Sequence, residues 1–247
     1  MKFKNQNVLG IITARGGSKE IPRKNIKKLA GKPLIQYTFD AVRGSNLLDR
    51  CILSSEDEEI IRYSKKAGME VPFKRPKDLA LDSSKSIDVL IHALKYLSDE
   101  DSYNPNYVMT LQPTSPLRNS IDIDESIKII MNNNIADSLV SVIKVPHNFN
   151  PYSIMILKKK YLENYLNKKI IRRQELPNFY ARNGAAIYIT KTETLLNNKE
   201  IIGGYCLPYF MPEERSIDID NDYDWRIAEL LIKNNIKNSQ NRSNNFL

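Results

Sequence analysis

Apolar residues fall along this chain in short blocks that alternate with stretches of helical period. VLGIIT (8–13) is an unbroken apolar run of strand length, the pattern of a strand buried on both faces. PLIQYTFDAVR (33–43) follows with helical spacing, and Pro33 suits a first helical turn. RCILSS (50–55) predicts a second strand. EDEEIIRYSKKAG (56–68) predicts a helix with acids in its first turn, lysines in its last and Gly68 at its end. MEVPFKR (69–75) reads as a short strand or extended piece. SIDVLIHALKYLSDE (86–100) is amphipathic, with Ile87, Leu90, Ile91, Leu94 and Leu97 on one side. YVMTLQ (107–112) predicts a strand that runs into a PTSP turn, 121–131 a helix, and SLVSVIKV (138–145) a strand.

This alternation predicts an α/β fold with a mostly parallel sheet and helices on both faces, with ligands at the carboxyl ends of the strands. The pattern breaks over 146–182, where aromatic, charged and proline residues mix; that segment reads as an insertion that leaves the sheet and rejoins it. AAIYIT (185–190) resumes a strand, SIDID (216–220) predicts a short one, and NDYDWRIAELLIK (221–233) a helix capped by Asn221 or Asp222. The polar remainder predicts a frayed tail. The expected organisation is one domain over 1–235, with the insertion inside it and a tail over 236–247.

Composition narrows the class. The 247 residues are 41% hydrophobic, enough for a sizeable core, and no apolar run reaches membrane-spanning length. The first ten residues lack a signal-peptide pattern, and Cys51 and Cys206 each sit in an apolar run rather than at metal-binding or disulfide spacing, so a soluble, cytoplasmic chain with reduced core cysteines is expected. A formal charge of +8 suits either a nucleic acid or a small polyanion. The basic residues are dense only in the first loop and near 157–161, which favours the small polyanion over a nucleic-acid surface.

Four clusters carry candidate chemistry. The loop after the first strand, ARGGSKEIPRKN (14–25), combines two glycines with Arg15, Lys19, Arg23 and Lys24; free backbone N–H groups and guanidinium forks suit phosphate, although the spacing is neither that of a Walker A loop nor GxGxxG. QPTSPLR (112–118) presents Gln112, Thr114 and Ser115 as neutral hydrogen-bonding groups on a proline-stiffened turn. On a strand, Asp218 and Asp220 of SIDID share a face, where two carboxylates invite a hard cation such as Mg²⁺. Arg172, Arg173 and Arg182 flank the end of the insertion and suit a carboxylate. Each cluster also has a plain structural reading: a solvated loop, an ordinary turn, a strand edge and a charged surface. His92 on a helix and His147 in a loop are assigned no catalytic role.

Taken in order, ARGGSK.IPRKN, LSSEDEEI, RP..LA.D.S.SIDVLIHAL, LQPTSPLR, RRQELP, NGAAIYI and SIDID resemble the N-acylneuraminate cytidylyltransferase family across residues 8–232. The resemblance implies a Rossmann-like three-layer nucleotidyltransferase sandwich whose insertion forms a homodimer. It implies transfer of CMP from CTP to a nine-carbon 2-keto sugar acid, N-acetylneuraminic acid or a legionaminic- or pseudaminic-type relative, with release of pyrophosphate. It implies that Arg15, Ser18, Lys19, Lys24 and Asn25 hold the phosphates and ribose, with Arg15 and Lys24 neutralising the leaving group. Arg75 and Ser86 would read cytosine; Gln112, Thr114, Ser115, Arg173 and Asn183 would hold the sugar acid; Asp218 and Asp220 would bind Mg²⁺. Neither nucleic acid nor membrane is an expected partner. The competing reading from another class is a non-catalytic nucleotide- or RNA-binding protein. Three positions depart from the family pattern: Glu20 stands where glycine is usual, Ser55-Glu56 where Thr-Asp is usual, and Ala181 where some relatives carry arginine.

Overall fold

The computed structural model describes residues 6–166 and 172–244. In chain order its regular elements are β1 (Val8–Thr13), the short pair β2 (Lys28–Leu29) and β3 (Lys32–Pro33), α1 (Leu34–Arg43), β4 (Arg50–Ser54), α2 (Glu58–Lys66), α3 (Ser86–Asp101), β5 (Tyr107–Leu111), α4 (Ser120–Met131) and β6 (Ser138–Lys144). There follow β7 (Met155–Lys158), β8 (Tyr161–Asn164), β9 (Tyr180–Arg182), β10 (Tyr188–Lys191), β11 (Cys206–Phe210) and α5 (Asp222–Asn244).

The central sheet runs β11-β6-β10-β5-β1-β4, with β9 also pairing β6. β1 is parallel to both neighbours, with Ile11 opposite Ile52 on one side and Thr110 on the other. Side-chain alternation along β1 builds both layers. Val8 and Ile12 pack with Ile35 and Phe39 of α1 and Ile123 and Ile127 of α4. Leu9 and Ile11 pack with Leu90, Ala93, Leu94 and Leu97 of α3 on the opposite face. The chain moves from β1 to β4 on one side and then to β5 on the other. The direction of winding therefore reverses between β1 and β5, and sheets of this kind open a ligand crevice beyond the carboxyl ends of the strands at such a reversal.

Local chemistry accounts for the element ends. Asp57 caps α2, accepting from the N–H groups of Glu59 and Ile60 at 3.0 and 2.9 Å. Asn119 and Asp122 form a reciprocal capping box at the start of α4. Asn221 caps α5, accepting from the N–H groups of Tyr223 and Asp224 at 2.9 and 3.1 Å. Pro33 lies just before α1 rather than in its first turn.

The structure departs from the sequence pattern at several points. β10 is antiparallel to both β5 and β6. Among the described residues, 146–182 contains an exposed β7–β8 hairpin and short turns rather than a crossover helix, so nothing carries the chain back to start a parallel strand. β11 was not predicted; its Pro208 is tolerated because the strand lies at the end of the sheet and pairs only with β6. Residues 69–75 make only one bridge, Glu70 to Ile52. Residues 216–220 form no strand, because the Ile219 N–H donates to the Thr114 carbonyl in a loop, at 2.8 Å, rather than to a ladder partner. The expected frayed tail continues as helix to Asn244. Both cysteines are free thiols, and burial pushes Cys51 up to about 12.

Two buried charges stiffen the frame beneath the crevice. Arg118, 2% exposed, donates from Nη1 to the carbonyls of Gln112 and Ala186 at 3.2 and 2.9 Å and from Nη2 to Thr38 Oγ1 at 2.6 Å. Burial pushes its guanidinium down to about 10. Asp122 is fully buried and accepts from the Tyr209 hydroxyl at 2.7 Å and from Arg215 Nε and Nη2 at 3.1 and 2.8 Å. It joins α4, β11 and the turn before residue 216. Removing one partner of a buried pair strands the others, so Asp122→Ala is expected to lower the unfolding free energy by about 3 kcal/mol. Chemical denaturation reads this; an unchanged midpoint would show that the network contributes nothing.

Candidate active site

A cavity of about 340 Å³ opens at the carboxyl ends of β1 and β5. Four segments wall it: the loop after β1, the turn after β5, a strap over residues 79–86, and the extended piece carrying Asp218 and Asp220. Its volume falls within the range of small-molecule sites. Arg15, Ser18, Lys24, Asn25, Arg75, Ser86, Gln112, Thr114, Asp218 and Asp220 all line it, so the structure brings ten of the expected residues together.

The loop after β1 takes its shape from groups below it. Gly16 N–H donates to Glu56 Oε1 at 2.7 Å. A Cβ at Gly16 would lie 2.4 Å from Asp57 Oδ2, so only glycine fits there. The Asn25 amide donates to the Arg15 carbonyl at 2.9 Å, pinning the loop's two ends. Its basic residues divide into two groups. Arg15 and Lys24 face the cavity, whereas Arg23 clips to Asp57 and Glu59 on α2, Lys27 lies over the Trp225 ring, and Lys32 pairs with Asp40. Glu20 is exposed and does not line the cavity.

Arg75 is 4% exposed. It donates from Nε to Ser54 Oγ at 3.0 Å and from Nη2 to the Ser54 carbonyl. Burial pushes its guanidinium down to about 10, and the nearby Glu56 charge opposes that. A guanidinium so fixed and desolvated presents hydrogen-bond donors in a set direction, as recognition of a planar polar ring requires.

Lys24 Nζ donates to the Ile219 carbonyl at 2.7 Å and stands 4.0 Å from Asp220. Burial pushes the Asp218 carboxyl above the ordinary carboxylate range, and the Asp220 charge adds to this. Asp218 Oδ1 and Thr114 Oγ1 are buried without a well-formed hydrogen bond, although the nearby Thr114 hydroxyl partly opposes the upward push on the carboxyl. Buried polar atoms so poorly satisfied are costly and suit a site that takes water, a cation or a ligand. Among the described residues no group of three His, Cys, Asp or Glu side chains could hold a metal. Mg²⁺ commonly takes only one or two carboxylates, completed by water and substrate phosphates, so the donor set fits that ion. Gly184, at φ +66°, packs against Asp218; a Cβ there would lie 2.3 Å from Asp218 Oδ2.

Three expected residues lie outside the cavity lining. Lys19 stands outside the cavity lining and pairs with Asp82 at 2.9 Å. Ser115 is buried with its hydroxyl unpartnered. Asn183 is buried, and its amide is taken up by Ser141, Ser216 and Met211, which fixes the turn carrying Gly184. The side chain of Arg173 lies outside the described residues. Sequence reasoning missed Asp82, which lines the cavity and pairs with Arg15 at 2.7 Å. Its position inside RP..LA.D.S.S, two residues before Ser84, was the available signal.

A doubly wound sheet with a basic, carboxylate-bearing cavity at its winding reversal defines a nucleotide-binding α/β protein. The chain belongs to the cytidylyltransferase family, whose pattern it matches over residues 9–214. It is 34% identical to post-translational flagellin modification protein B of Campylobacter coli, over 92% of this chain and 95% of that protein. It is 32% identical to pseudaminic acid cytidylyltransferase of Campylobacter jejuni, over 92% and 97% respectively. It is 30% identical to N-acylneuraminate cytidylyltransferase of Escherichia coli over 90% of this chain; there it spans about half of the relative, 51%. Its fold is similar to that of a CMP:2-keto-3-deoxy-manno-octonic acid synthetase complexed with CTP, at a TM-score of 0.70 and 14% identity, covering 93% of this chain and all of that one.

Gly184→Ala is expected to displace Asp218 and cut turnover by at least about tenfold, since misplacing a reacting group by about 1 Å has effects of that order or larger. Full activity would show that the close approach is unimportant. Asp57→Asn tests the support of the loop after β1. Arg23, foremost, and the N–H groups of Ile60 and Glu59 hold the Asp57 carboxyl below its usual range. That stability is present above the unfolded value of about 3.9 and lost as pH falls through the lower folded value. The deficit of Asp57→Asn in thermal unfolding should therefore be largest near pH ~7 and shrink near pH ~2.5. A constant deficit would mean that the charge is not its source.

Proposed function

We propose that this protein activates a nine-carbon 2-keto sugar acid with CTP, giving the CMP-sugar and pyrophosphate. The observation that carries the reading is the convergence of Arg15, Lys24, Asp218 and Asp220 on one cavity at the winding reversal. Two cations and two carboxylates there match a triphosphate that arrives with a divalent metal. The activities for which the relatives are named support the reaction class. The non-catalytic alternative finds no support among them.

In this reading the loop after β1 cradles the phosphates, with the backbone of Gly17 and the Arg15 fork directed at their oxygens. Arg75 and Ser86 hold the base. The turn carrying Gln112 and Thr114 orients the acid. The anomeric hydroxyl oxygen gives up its proton to solvent and bonds to the α-phosphorus as the bond from that phosphorus to the oxygen bridging it to the β-phosphorus breaks, and pyrophosphate departs in line with the electron pair of that bond. Arg15 and Lys24 neutralise the charge that grows on the departing oxygens. Asp218 and Asp220 would hold Mg²⁺, which when bound supplies Lewis-acid stabilisation of phosphoryl charge. The acceptor is N-acetylneuraminic acid or a pseudaminic- or legionaminic-type relative; identities of 30% and 32% to enzymes named for two different acids do not favour either.

A homodimer is part of the proposal. Met155, Leu157, Tyr161, Leu162 and Tyr165 are exposed on and beside the β7–β8 hairpin, an apolar surface suited to a second copy. Arg173 would then approach the partner's acid-binding site.

Pyrophosphate release from CTP and Mg²⁺ with N-acetylneuraminic, diacetyllegionaminic, pseudaminic and eight-carbon keto acids tests the reaction and the acceptor together. Release is expected with one nine-carbon acid, falling by at least about a hundredfold in Asp218→Asn. Release with none of them on folded protein, or full activity in Asp218→Asn, would contradict the proposal. Sedimentation should show twice the chain mass at micromolar concentration; a monomer would remove the dimer.

A further inference from the structure

The two basic residues that lead the phosphate loop are already engaged by an acid from across the cavity. Arg15 Nη1 donates to Asp82 Oδ1 at 2.7 Å, and Lys19 Nζ stands 2.9 Å from Asp82 Oδ2, so one carboxylate spans both cations with one oxygen each. This is the arrangement that a phosphate group would make with the same pair. Asp82 belongs to neither the loop nor the sheet. It lies on the strap between a short helical turn at Lys77–Ala80 and α3. Ser84 Oγ, donating to the Asp78 carbonyl at 2.6 Å, folds the strap on itself. The strap is fixed at its start by the Arg75 N–H, which donates to the Ser55 carbonyl at 2.9 Å, and at its end by α3. Between those points Asp82 supplies the ion pairs that join it to the phosphate loop.

The pairs are also exposed enough to break. The side chains of Arg15, Lys19 and Asp82 are 39%, 73% and 52% exposed, so water replaces these contacts at little cost. Buried Asp122 and clipped Asp57, by contrast, have fixed partners in the frame.

We infer that Asp82 is a displaceable counter-ion for the polyphosphate subsite: it holds Arg15 and Lys19 while the site is empty, yields them to the incoming triphosphate, and reclaims them as pyrophosphate leaves. This rests on the nucleotide reading above. It makes Asp82 a positioning residue that opposes ligand binding, although it stands inside the cavity. Its removal should therefore strengthen binding of polyphosphate, whereas a residue that shapes the site or contacts the ligand would weaken binding on removal.

Titration calorimetry of inorganic pyrophosphate into the full chain, wild type against Asp82→Asn and Asp82→Ala, tests this, with Mg²⁺ present. Exposed ion pairs of this kind predict binding about three- to tenfold tighter in both variants, with stronger product inhibition by pyrophosphate in turnover. The gain should shrink as salt is raised, because screening weakens the competing pairs. Asp82→Glu, which keeps the charge, should remain near wild type. Equal or weaker pyrophosphate binding in Asp82→Asn, on a chain that still releases pyrophosphate from CTP, would overturn the counter-ion role alone. If no chain, wild type or variant, binds pyrophosphate or CTP, both this role and the nucleotide reading fall.

Discussion

Ile219 ties together three segments that are far apart in the chain. Its N–H donates to the Thr114 carbonyl at 2.8 Å, and its carbonyl accepts from Lys24 Nζ at 2.7 Å. Its side chain is fully buried with Ile21, Leu117 and Trp225. These contacts lock the loop after β1, the turn after β5 and the segment before α5 into one body. They also set Asp218 and Asp220 on either side of a fixed residue, the first mostly buried and the second open to water. A buried backbone needs its hydrogen bonds satisfied, and Ile219 finds them in loops because no neighbouring strand is there. The carboxylates face the cavity as a consequence.

The charge in the first loop follows from the same constraint. A loop of closely spaced cations would repel itself if all of them faced one site. Arg23 is drawn to the start of α2, Lys27 to an aromatic ring and Lys32 to α1, while Arg15, Lys19 and Lys24 remain with acids at the cavity or its rim. Part of the basic cluster is therefore scaffold. The acids that balance it, Asp40, Asp57 with Glu59, Asp82 and Asp220, come from four other segments of the chain.

Much of this was legible in the sequence because period and composition report burial directly. Strands β1, β4, β5 and β6 and helices α1 to α4 appear close to the boundaries their apolar spacing predicts. Ten of the expected site residues meet in one cavity because loops at strand ends converge wherever the sheet is doubly wound. What stayed illegible depends on non-local pairing. The reversed direction of β10 follows from the lack of a crossover helix before it, which a mixed aromatic and charged segment does not reveal. SIDID has strand-like alternation yet pairs with a loop. Asn183 looks like a ligand group until Ser141 and Ser216, remote in sequence, take up its amide. Asp82 looks like a loop acid until Arg15 and Lys19 meet it.

Lys24, held by Ile219 beside Asp220, lines the cavity at the carboxyl ends of β1 and β5 that is proposed to take the nucleotide. Calorimetric titration of CTP with Mg²⁺ into the wild type and Lys24→Met tests this, since methionine keeps the packing of the stem and removes the ammonium group, with its charge and its hydrogen bond to the Ile219 carbonyl; thermal unfolding of the variant checks that the frame survives that loss. One CTP should bind per chain, at least about tenfold more weakly in the variant, the scale of a charge-assisted contact. Undiminished CTP affinity in a folded Lys24→Met protein would contradict it.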